Sequence, residues 1–254
     1  MPRLLPLLRL LLIPAAALSL AAQADTVKVL TAGAFKQVVL AAVPAFEART
    51  GHKVEIQNDT AGALGRRIAT GEAFDVVVLT TGALQPLGAS GRVAANSIVP
   101  LGKVGIGVAV KAGAPEPKID TEEAFKQALL GARKVAYIDP TSGGSSGIYL
   151  DGLFQRMGIA DAIRAKAVLV PGGLVAERLV TGEADLAVHQ VSEILPVQGV
   201  SFVGPLPEAV QNYTVYAGGV AGDAAHAAAA REFLASLAAP ERVETLRAKG
   251  MMAP

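Results

Sequence analysis

The sequence predicts an α/β protein with two lobes, each an open mixed sheet with flanking helices, joined by two crossing strands. Strand and helix patterns alternate over residues 27–89 and again over residues 121–190. Such alternation is typical of largely parallel sheets whose connections are helices. Two long extended segments, Ile98–Val110 and Tyr213–Val220, follow these series. We expect the first to carry the chain into the second lobe and the other to return it.

The N-terminal segment has the pattern of a secretory signal peptide. Arg3 and Arg9 flank the start of the apolar run Leu10–Leu20, and Ala22-Gln23-Ala24 supplies small residues at the cleavage position. A membrane anchor is the alternative, but this run is shorter than the roughly 20 residues that a span needs. We therefore predict that residues 1–24 are removed after Ala24 and that the mature protein is periplasmic.

The rest of the chain is predicted to form lobe 1 from residues 25–104 and 216–254, and lobe 2 from residues 105–215. Removing two of the 23 basic residues with the signal peptide leaves 21 against 22 acidic ones, a net charge of −1. Without a basic stripe, nucleic acid is excluded as a predicted partner. The chain has no cysteine, which excludes disulfides. We expect a monomer.

An anion site is predicted where a strand, a small polar loop and a helix follow one another. The strand Val135–Ile138 leads into the loop Pro140–Gly147, after which apolar residues recur at helical spacing. The first N–H groups of a helix lack partners and carry partial positive charge, which favours a carboxylate or another anion. The predicted ligand contacts here are Ser142, Ser145, Ser146 and Gly147.

Similar small polar loops follow the other strands. The carboxyl ends of strands in open α/β sheets are where ligands bind. The predicted contacts in the first lobe are Ala34, Phe35, Thr60, Ala61, Gly62, Thr80 and Thr81. In the second lobe, Gly173 and Leu174 open a helix and His189 ends a strand, and all three are predicted contacts.

Each of these residues also has a structural interpretation. Serine and threonine at helix starts serve as ordinary caps, and Ala34 and Phe35 are equally suited to packing. For His189 the alternative is a buried structural histidine. If His189 does contact the ligand, binding is expected to depend on pH.

The charged side chains leave further alternatives open. Arg66, Arg67 and Arg178 can each supply a full charge to a carboxylate, although a solvated helix face is the more common role of such residues. His52 and His226 show no partner at metal-binding spacing, so neither a metal site nor a cofactor is predicted.

Several motifs, taken in order, resemble the molybdate-binding group of periplasmic solute-binding proteins, which serve ABC-type importers. Thr31-Ala32-Gly33-Ala34-Phe35 follows the first strand, and Gly62–Ile68 and Gly71–Val78 come at similar spacing. Asp139-Pro140 and Gly147-Ile148-Tyr149 are similar to the second-lobe motif of that group. The resemblance implies a type II two-lobe fold, a small anionic ligand between the lobes, and a membrane permease as partner.

Three positions depart from the pattern of that group. Its oxyanion site uses serines after the first and second strands and a tyrosine at the end of a later strand. Here Ala34, Thr60-Ala61-Gly62 and the His189 of Ala187-Val188-His189 take those places. Two hydroxyl donors are lost and an imidazole is gained, which favours a larger organic carboxylate over molybdate.

The predicted function is therefore delivery of a small anion, an organic carboxylate rather than molybdate, to an ABC importer, without catalysis. A molybdate- or tungstate-type binder and a periplasmic sensor component are alternatives. A serine hydrolase is another, because Gly143-Gly144-Ser145-Ser146-Gly147 matches G-x-S-x-G with Ser145 as nucleophile. Against a hydrolase, Asp185 lies at the opposite end of its predicted strand from His189.

Overall fold

The structure, a computed structural model, describes residues 24–254, so the predicted signal peptide lies outside it except for Ala24. Two five-stranded sheets make up the two lobes. Both sheets are open and mixed, which confirms the predicted fold class. Within residues 24–254, no helix has the length and apolar character needed to span a membrane.

The first sheet contains β1 (Thr26–Ala32), β2 (Lys53–Asp59), β3 (Val76–Thr80), β4 (Val99–Val104) and β10 (Thr214–Val220). Its spatial order is β2-β1-β3-β10-β4. β1 runs parallel to β2 and β3, whereas β10 is antiparallel to β3 and β4. The helices of this lobe are α1 (Gly33–Thr50), α2 (Ala61–Ala69), α3 (Thr81–Ala89), α9 (Ala227–Ala238) and α10 (Arg242–Ala248).

The second sheet contains β5 (Ile106–Lys111), β6 (Val135–Ile138), β7 (Ala167–Val170), β8 (Leu186–Gln190) and β9 (Val200–Pro205). Its spatial order is β7-β6-β8-β5-β9. The helices of this lobe are α4 (Glu122–Gly131), α5 (Ser145–Arg156), α6 (Ala160–Arg164), α7 (Glu177–Val180) and α8 (Val191–Ile194). In both sheets the loops after parallel strands point towards the other lobe, which places α1, α2, α5 and α8 around a shared space.

Apolar strands and helix faces form the cores of the lobes. The run Val76–Leu79 of β3 is fully buried, as expected of a strand covered on both faces. On the helical side, Phe46 of α1 packs edge-on against Phe233 of α9, with ring centroids 4.9 Å apart. The second lobe has two apolar clusters, one on each face of its sheet. Each lobe thus has a buried apolar core beneath the loops that carry the candidate residues.

The crossing between the lobes is short. A single residue, Gly105, separates β4 of one sheet from β5 of the other, so the extended segment predicted over Ile98–Val110 is two strands rather than one. The Gln211 side chain bonds both backbone groups of Ile106, accepting from its N–H at 2.8 Å and donating to its carbonyl at 2.9 Å. This contact ties the outgoing crossing to the returning one, which enters β10.

The first helix contains a proline. Proline usually kinks or breaks a helix, but α1 is one helix from Gly33 to Thr50 with Pro44 inside it. Pro44 is exposed, so the carbonyl of Leu40 that it leaves without an intrahelical partner faces the solvent side. Gly51 then ends the helix in the left-handed conformation with φ of 77°.

Candidate functional site

A small cavity lies between the lobes. The first lobe lines it with Ala32, Gly33, Ala34, Asn58, Asp59, Thr60, Ala61 and Tyr216. The second lobe lines it with Ile138, Gly144, Ser145, Ser146, Gly173, His189, Gln190 and Glu193. Most of these residues lie at the junctions between a strand and the following helix, the positions expected for ligand contacts in such sheets.

Two long helices begin at this cavity without side-chain caps. The residues before α1 and α5 are Ala32 and Gly144, and neither makes a capping side-chain hydrogen bond. By contrast, Thr60, Thr80 and Thr121 each accept a hydrogen bond from the backbone of the helix that follows them. The first N–H groups of α1 and α5 are therefore available to an anion, which the helix dipole also favours.

Glycine residues create the space at these helix starts. A Cβ at Gly33 would collide with the Glu193 carboxyl, so the absence of a side chain lets Glu193 approach the start of α1. A Cβ at Gly144 would similarly collide with the Ile138 side chain. The backbone at both helix starts can thus approach other groups more closely than any other residue would permit.

A buried histidine–glutamate pair forms one wall of the cavity. His189 Nε2 lies 3.3 Å from Glu193 Oε2, and the two side chains are 1% and 9% exposed. His189 Nδ1 has no hydrogen-bond partner within the described residues. Burial lowers the pKa of the His189 imidazole and raises the pKa of the Glu193 carboxyl to about 8, with Lys36 partly opposing the rise. Near pH 7 both groups are therefore neutral, an arrangement suited to proton transfer.

A ring of three side chains joins the lobes inside the cavity. The Tyr216 hydroxyl donates to Gln190 Oε1 at 2.9 Å, and Gln190 Nε2 donates to Ser145 Oγ at 3.3 Å. Ser145 Oγ and the Tyr216 hydroxyl lie 3.4 Å apart. Burial raises the pKa of Tyr216, so its phenol remains neutral and acts as a donor. Tyr216 belongs to the first lobe and the other two to the second, so the ring holds the lobes together.

The lobes also touch at the rim of the cavity. Gly62 N–H donates to the Gly143 carbonyl at 3.0 Å. The Ser142 carbonyl accepts from the Thr60 hydroxyl at 2.7 Å and from Arg66 Nη2 at 3.2 Å. These contacts define a closed arrangement in which the cavity is shielded on this side.

Half of the predicted ligand contacts line the cavity, and half do not. Those in the lining are Ala34, Thr60, Ala61, Ser145, Ser146, Gly173 and His189. Contact between these residues and a ligand stays a prediction. The predicted residues outside the lining are Phe35, Gly62, Thr80, Thr81, Ser142, Gly147 and Leu174.

Three of the outlying residues are occupied by packing. The Phe35 side chain is fully buried in the core of the first lobe, with its ring centroid 6.2 Å from that of Tyr216. The Cα of Gly147 packs against the carbonyl of Ile138, where any side chain would collide. Leu174 packs against an apolar cluster of the second lobe.

Thr80 and Thr81 lie outside the cavity lining. Thr80 pairs with Tyr216 in the ladder between β3 and β10, and its hydroxyl accepts from Ala83 N–H at 3.3 Å. Thr81 is exposed, and its hydroxyl donates to the Val215 carbonyl at 3.4 Å. In this structure Thr80 therefore caps a helix, and Thr81 bonds to the neighbouring strand.

Gly62 and Ser142 form the rim rather than the lining. The backbones of Gly62 and Gly143 touch, and the Ser142 hydroxyl donates to the Asp139 carbonyl at 2.7 Å. Both residues therefore serve contact between the lobes.

The candidate arginines are engaged elsewhere. Arg66 bonds at the rim, Arg67 pairs with Glu72 and Arg178 pairs with Glu183. Within residues 24–254, the cavity lining contains neither arginine nor lysine. Compensation of an anion in this cavity would therefore have to come from helix starts and neutral donors.

The serine hydrolase alternative lacks its geometry. Ser145 bonds to Gln190 and Tyr216, while His189 faces Glu193. Asp185 pairs with Arg133 at 2.7 Å. The described residues therefore bring no histidine–aspartate pair to Ser145.

Three functional candidates were missed in the sequence: Glu193, Gln190 and Tyr216. Glu193 follows His189 by four residues, but a helix begins between them, so no single periodicity relates the two. Gln190 directly follows His189, but nothing else in the sequence marked it as a residue of the cavity. Tyr216 lies inside the returning extended segment and reaches the cavity because β10 runs antiparallel to β3, which places Tyr216 beside Thr80 at the carboxyl end of β3.

The fold and the cavity define a class of protein, and a family comparison agrees. The chain belongs to the bacterial extracellular solute-binding protein family, whose model matches residues 27–252. The expected resemblance to molybdate-binding proteins is confirmed by solved structures. The periplasmic molybdate-binding protein of Azotobacter vinelandii is 21% identical, with a TM-score of 0.76 over 90% of this chain and 99% of that one.

Two further structures show the same fold. The sulfate-binding protein SubI of Mycobacterium tuberculosis is 17% identical, with a TM-score of 0.73 over 90% of this chain and 87% of that one. PEB3 of Campylobacter jejuni, solved with L-phospholactate bound, is 15% identical, with a TM-score of 0.68 over 90% and 100% of the two chains. At such identities these structures establish the fold alone.

A curated relative corrects one expectation. The aconitate isomerase of Pseudomonas sp. is 38% identical over 239 residues, which covers 91% of this chain and 90% of the relative. The expectation that a chain of this kind carries no catalysis is therefore wrong. The sequence showed only the absence of a familiar catalytic motif, and isomerases need none of the hydrolase machinery that was sought.

Proposed function

We propose that this protein binds aconitate in the cavity between its lobes and interconverts the cis and trans isomers. The observation that carries this proposal is the 38% identity to an aconitate isomerase over nine tenths of both chains. The cavity supports it with uncapped helix starts for carboxylates and a buried proton-transfer pair.

The chemistry is a shift of a carbon–carbon double bond. Aconitate is propene substituted with three carboxylates, and its CH₂ carbon lies next to the double bond. Removal of a proton from this CH₂ carbon leaves an allylic anion that the carboxylates stabilise. Addition of a proton to the former vinyl CH carbon moves the double bond. Because the carbon skeleton is symmetric, the product is aconitate again, and its geometry depends on the conformation in which the anion is held.

His189 and Glu193 are the proposed proton-transfer groups. A buried neutral imidazole is able to take the CH₂ proton, and the adjacent Glu193 carboxyl orients the ring through its contact with Nε2. Asp59 is less suitable, since it pairs with Arg67 and accepts from the Thr60 N–H. The neutral Tyr216 phenol is a donor and not a base at neutral pH.

The other proposed roles are binding roles. The starts of α1, near Ala34, and of α5, near Ser145 and Ser146, would each receive one carboxylate. Ser145 accepts from Gln190, and its own O–H can turn from the Tyr216 hydroxyl, 3.4 Å away, to a ligand oxygen. Thr60, Ala61 and Gly173 complete the proposed contacts.

The direct test is conversion of cis-aconitate by the purified protein. Proton NMR would follow the vinyl and methylene signals in H₂O and in D₂O. We expect reactions that start from either isomer to reach the same ratio of trans-aconitate to cis-aconitate. Failure to convert either isomer, with the fold intact by circular dichroism, would overturn the proposal.

A second candidate is delivery of an organic carboxylate to an ABC importer, from the periplasm after signal-peptide removal at Ala24. Membership of the solute-binding family favours it, as does the structural likeness to a domain of a putative molybdenum ABC transporter of Clostridium difficile. We propose a monomer in either role. Calorimetric titration against aconitate isomers, molybdate, tungstate and sulfate separates the candidates. Tight aconitate binding without conversion favours delivery, and tight binding of tetrahedral oxyanions favours the molybdate-type alternative.

A further inference from the structure

A second group of titratable residues lies at the start of β1, away from the cavity. Asp25 Oδ1 lies 3.2 Å from His226 Nδ1, and Asp25 Oδ2 lies 3.8 Å from His52 Nδ1. The Asp25 backbone N donates to His52 Nδ1 at 3.0 Å. The side chains of His52, Asp25 and His226 are 16%, 35% and 36% exposed, so the group is open to an ion from solution.

Contacts with the rest of the first lobe hold all three residues in place. The Asp25 carbonyl accepts from Lys53 N–H at 2.8 Å, which fixes Asp25 beside the start of β2. The His226 N–H donates to the buried carboxylate of Asp75 at 3.0 Å. His52 stacks on Phe46, with ring centroids 6.2 Å apart. The donor atoms are therefore positioned before any ligand arrives.

Side chains alone do not complete a metal site. Among residues 24–254, no group of three or more His, Cys, Asp or Glu side chains has metal-binding geometry. Removal of the signal peptide after Ala24 would supply a further donor, because the Asp25 amide nitrogen becomes a primary amine. That nitrogen already lies 3.0 Å from His52 Nδ1.

We propose that the processed N-terminus forms a site for a divalent transition metal such as Zn²⁺ or Cu²⁺. The donors are the amine and carboxylate of Asp25, Nδ1 of His52 and Nδ1 of His226. Nitrogen and oxygen ligands bind such ions at roughly 2.0–2.2 Å. Neighbouring ligands then lie roughly 3 Å or slightly more apart, close to the 3.0 and 3.2 Å separations here. Donor sets rich in imidazole favour these metals over Mg²⁺ and Ca²⁺.

This proposal is independent of the isomerase proposal. β1 has seven residues and runs from the Asp25 group to the cavity, so the two sites lie roughly 23 Å apart at about 3.3 Å per residue. Metal binding is therefore expected to leave conversion of aconitate unchanged.

The test compares three proteins under the same conditions. The first is secreted through its own signal peptide, and mass spectrometry verifies that it begins at Asp25. The second carries Met-Ser before Ala24, which keeps the Asp25 nitrogen an amide. The third is the processed form with His226→Ala. Calorimetric titration with Zn²⁺ measures affinity, and electron paramagnetic resonance with one equivalent of Cu²⁺ reports the nitrogen ligands.

We expect the processed protein to bind one Zn²⁺ per chain and both other proteins to bind at least about tenfold more weakly, since the loss of even an outer-shell partner costs that much. The Cu²⁺ spectrum is expected to show three nitrogen ligands in the processed form. Equal affinity in the processed and extended proteins would overturn the proposal. So would a natural N-terminus at any residue other than Asp25.

Discussion

The rim and the interior of the cavity hold the lobes together in different ways. At the rim, Gly62 and Thr60 bond to backbone carbonyls of Gly143 and Ser142, without any buried ionisable group. In the interior, Tyr216 bonds to side chains of the opposite lobe next to a titratable histidine–glutamate pair.

The rim contacts therefore serve closure of the two lobes, whereas the interior contacts serve the proposed chemistry. Rim contacts depend on close backbone approach, so they are sensitive to added volume and insensitive to pH. Interior contacts depend on buried polar groups, whose protonation the surroundings control. Substitutions at the two places should therefore have different effects on turnover, on affinity and on the pH dependence of stability.

The largest expected effect is that of His189→Gln. Glutamine retains hydrogen bonding but does not carry a proton at neutral pH, so turnover of cis-aconitate should fall by about 100-fold to 10,000-fold. NMR measures conversion, and calorimetry should show affinity for trans-aconitate changed only a few-fold. Thr81→Ala, which alters an exposed hydroxyl outside the cavity, should retain normal turnover. Undiminished turnover in His189→Gln would remove His189 from the mechanism.

Gly62→Ala should impair closure. Its new methyl group would lie 2.7 Å from the Gly143 Cα, and overpacking of this kind costs about 1–3 kcal/mol. Affinity for trans-aconitate should fall by about tenfold or more, and X-ray scattering should show less compaction on ligand addition. The matched control is Gly65→Ala on the same helix, where nothing lies within 4 Å of the new methyl group. Equal behaviour of the two variants would contradict the role of the rim.

Tyr216→Phe should weaken ligand binding moderately. The change removes the donor to Gln190, and a net hydrogen bond contributes about 1 kcal/mol. Affinity should therefore fall about fivefold by calorimetry. Arg66→Ala, which removes one exposed rim bond, should change affinity by less than about twofold. A larger loss at Arg66 than at Tyr216 would reverse the proposed comparison.

A further expected effect concerns stability and pH. The Glu193 pKa is raised from 4.5 to about 8 by burial, so between these values the unfolded state releases a proton that the folded state keeps. Stability therefore falls as pH rises through this range, whereas the lowered His189 pKa removes stability as pH falls below its ordinary value of 6.5. The two contributions oppose each other between pH 4.5 and 6.5.

The window from pH 6.5 to 8 thus isolates Glu193. There the free energy of unfolding should decline with a slope approaching about 1.4 kcal/mol per pH unit. Urea denaturation at several pH values measures this slope, and Glu193→Gln should flatten it. A similar slope in wild type and variant would show that Glu193 ionises normally.

Much of the fold was accessible from local patterns. The alternation of strands and helices was predicted over residues 27–89 and 121–190, and the helix starts were predicted from small residues after strands. These features depend on periodicity and backbone conformation, which neighbouring residues largely determine. The exception is Pro44, where exposure of the proline lets a continuous helix persist.

Local patterns in the sequence were enough to predict the two α/β lobes and the two crossings between them. They also predicted helix starts suited to an anion after several strands. Each of these features depends on residues that lie close together in the chain. Which of these helix starts meet at one cavity depends on the tertiary structure. Tyr216, Ser145 and His189 are separated by many residues, and they share one cavity because Tyr216 of the first sheet faces the end of β8 in the second. Burial of the His189–Glu193 pair, on which its proton-transfer character depends, is likewise a property of two closed lobes and of no segment alone.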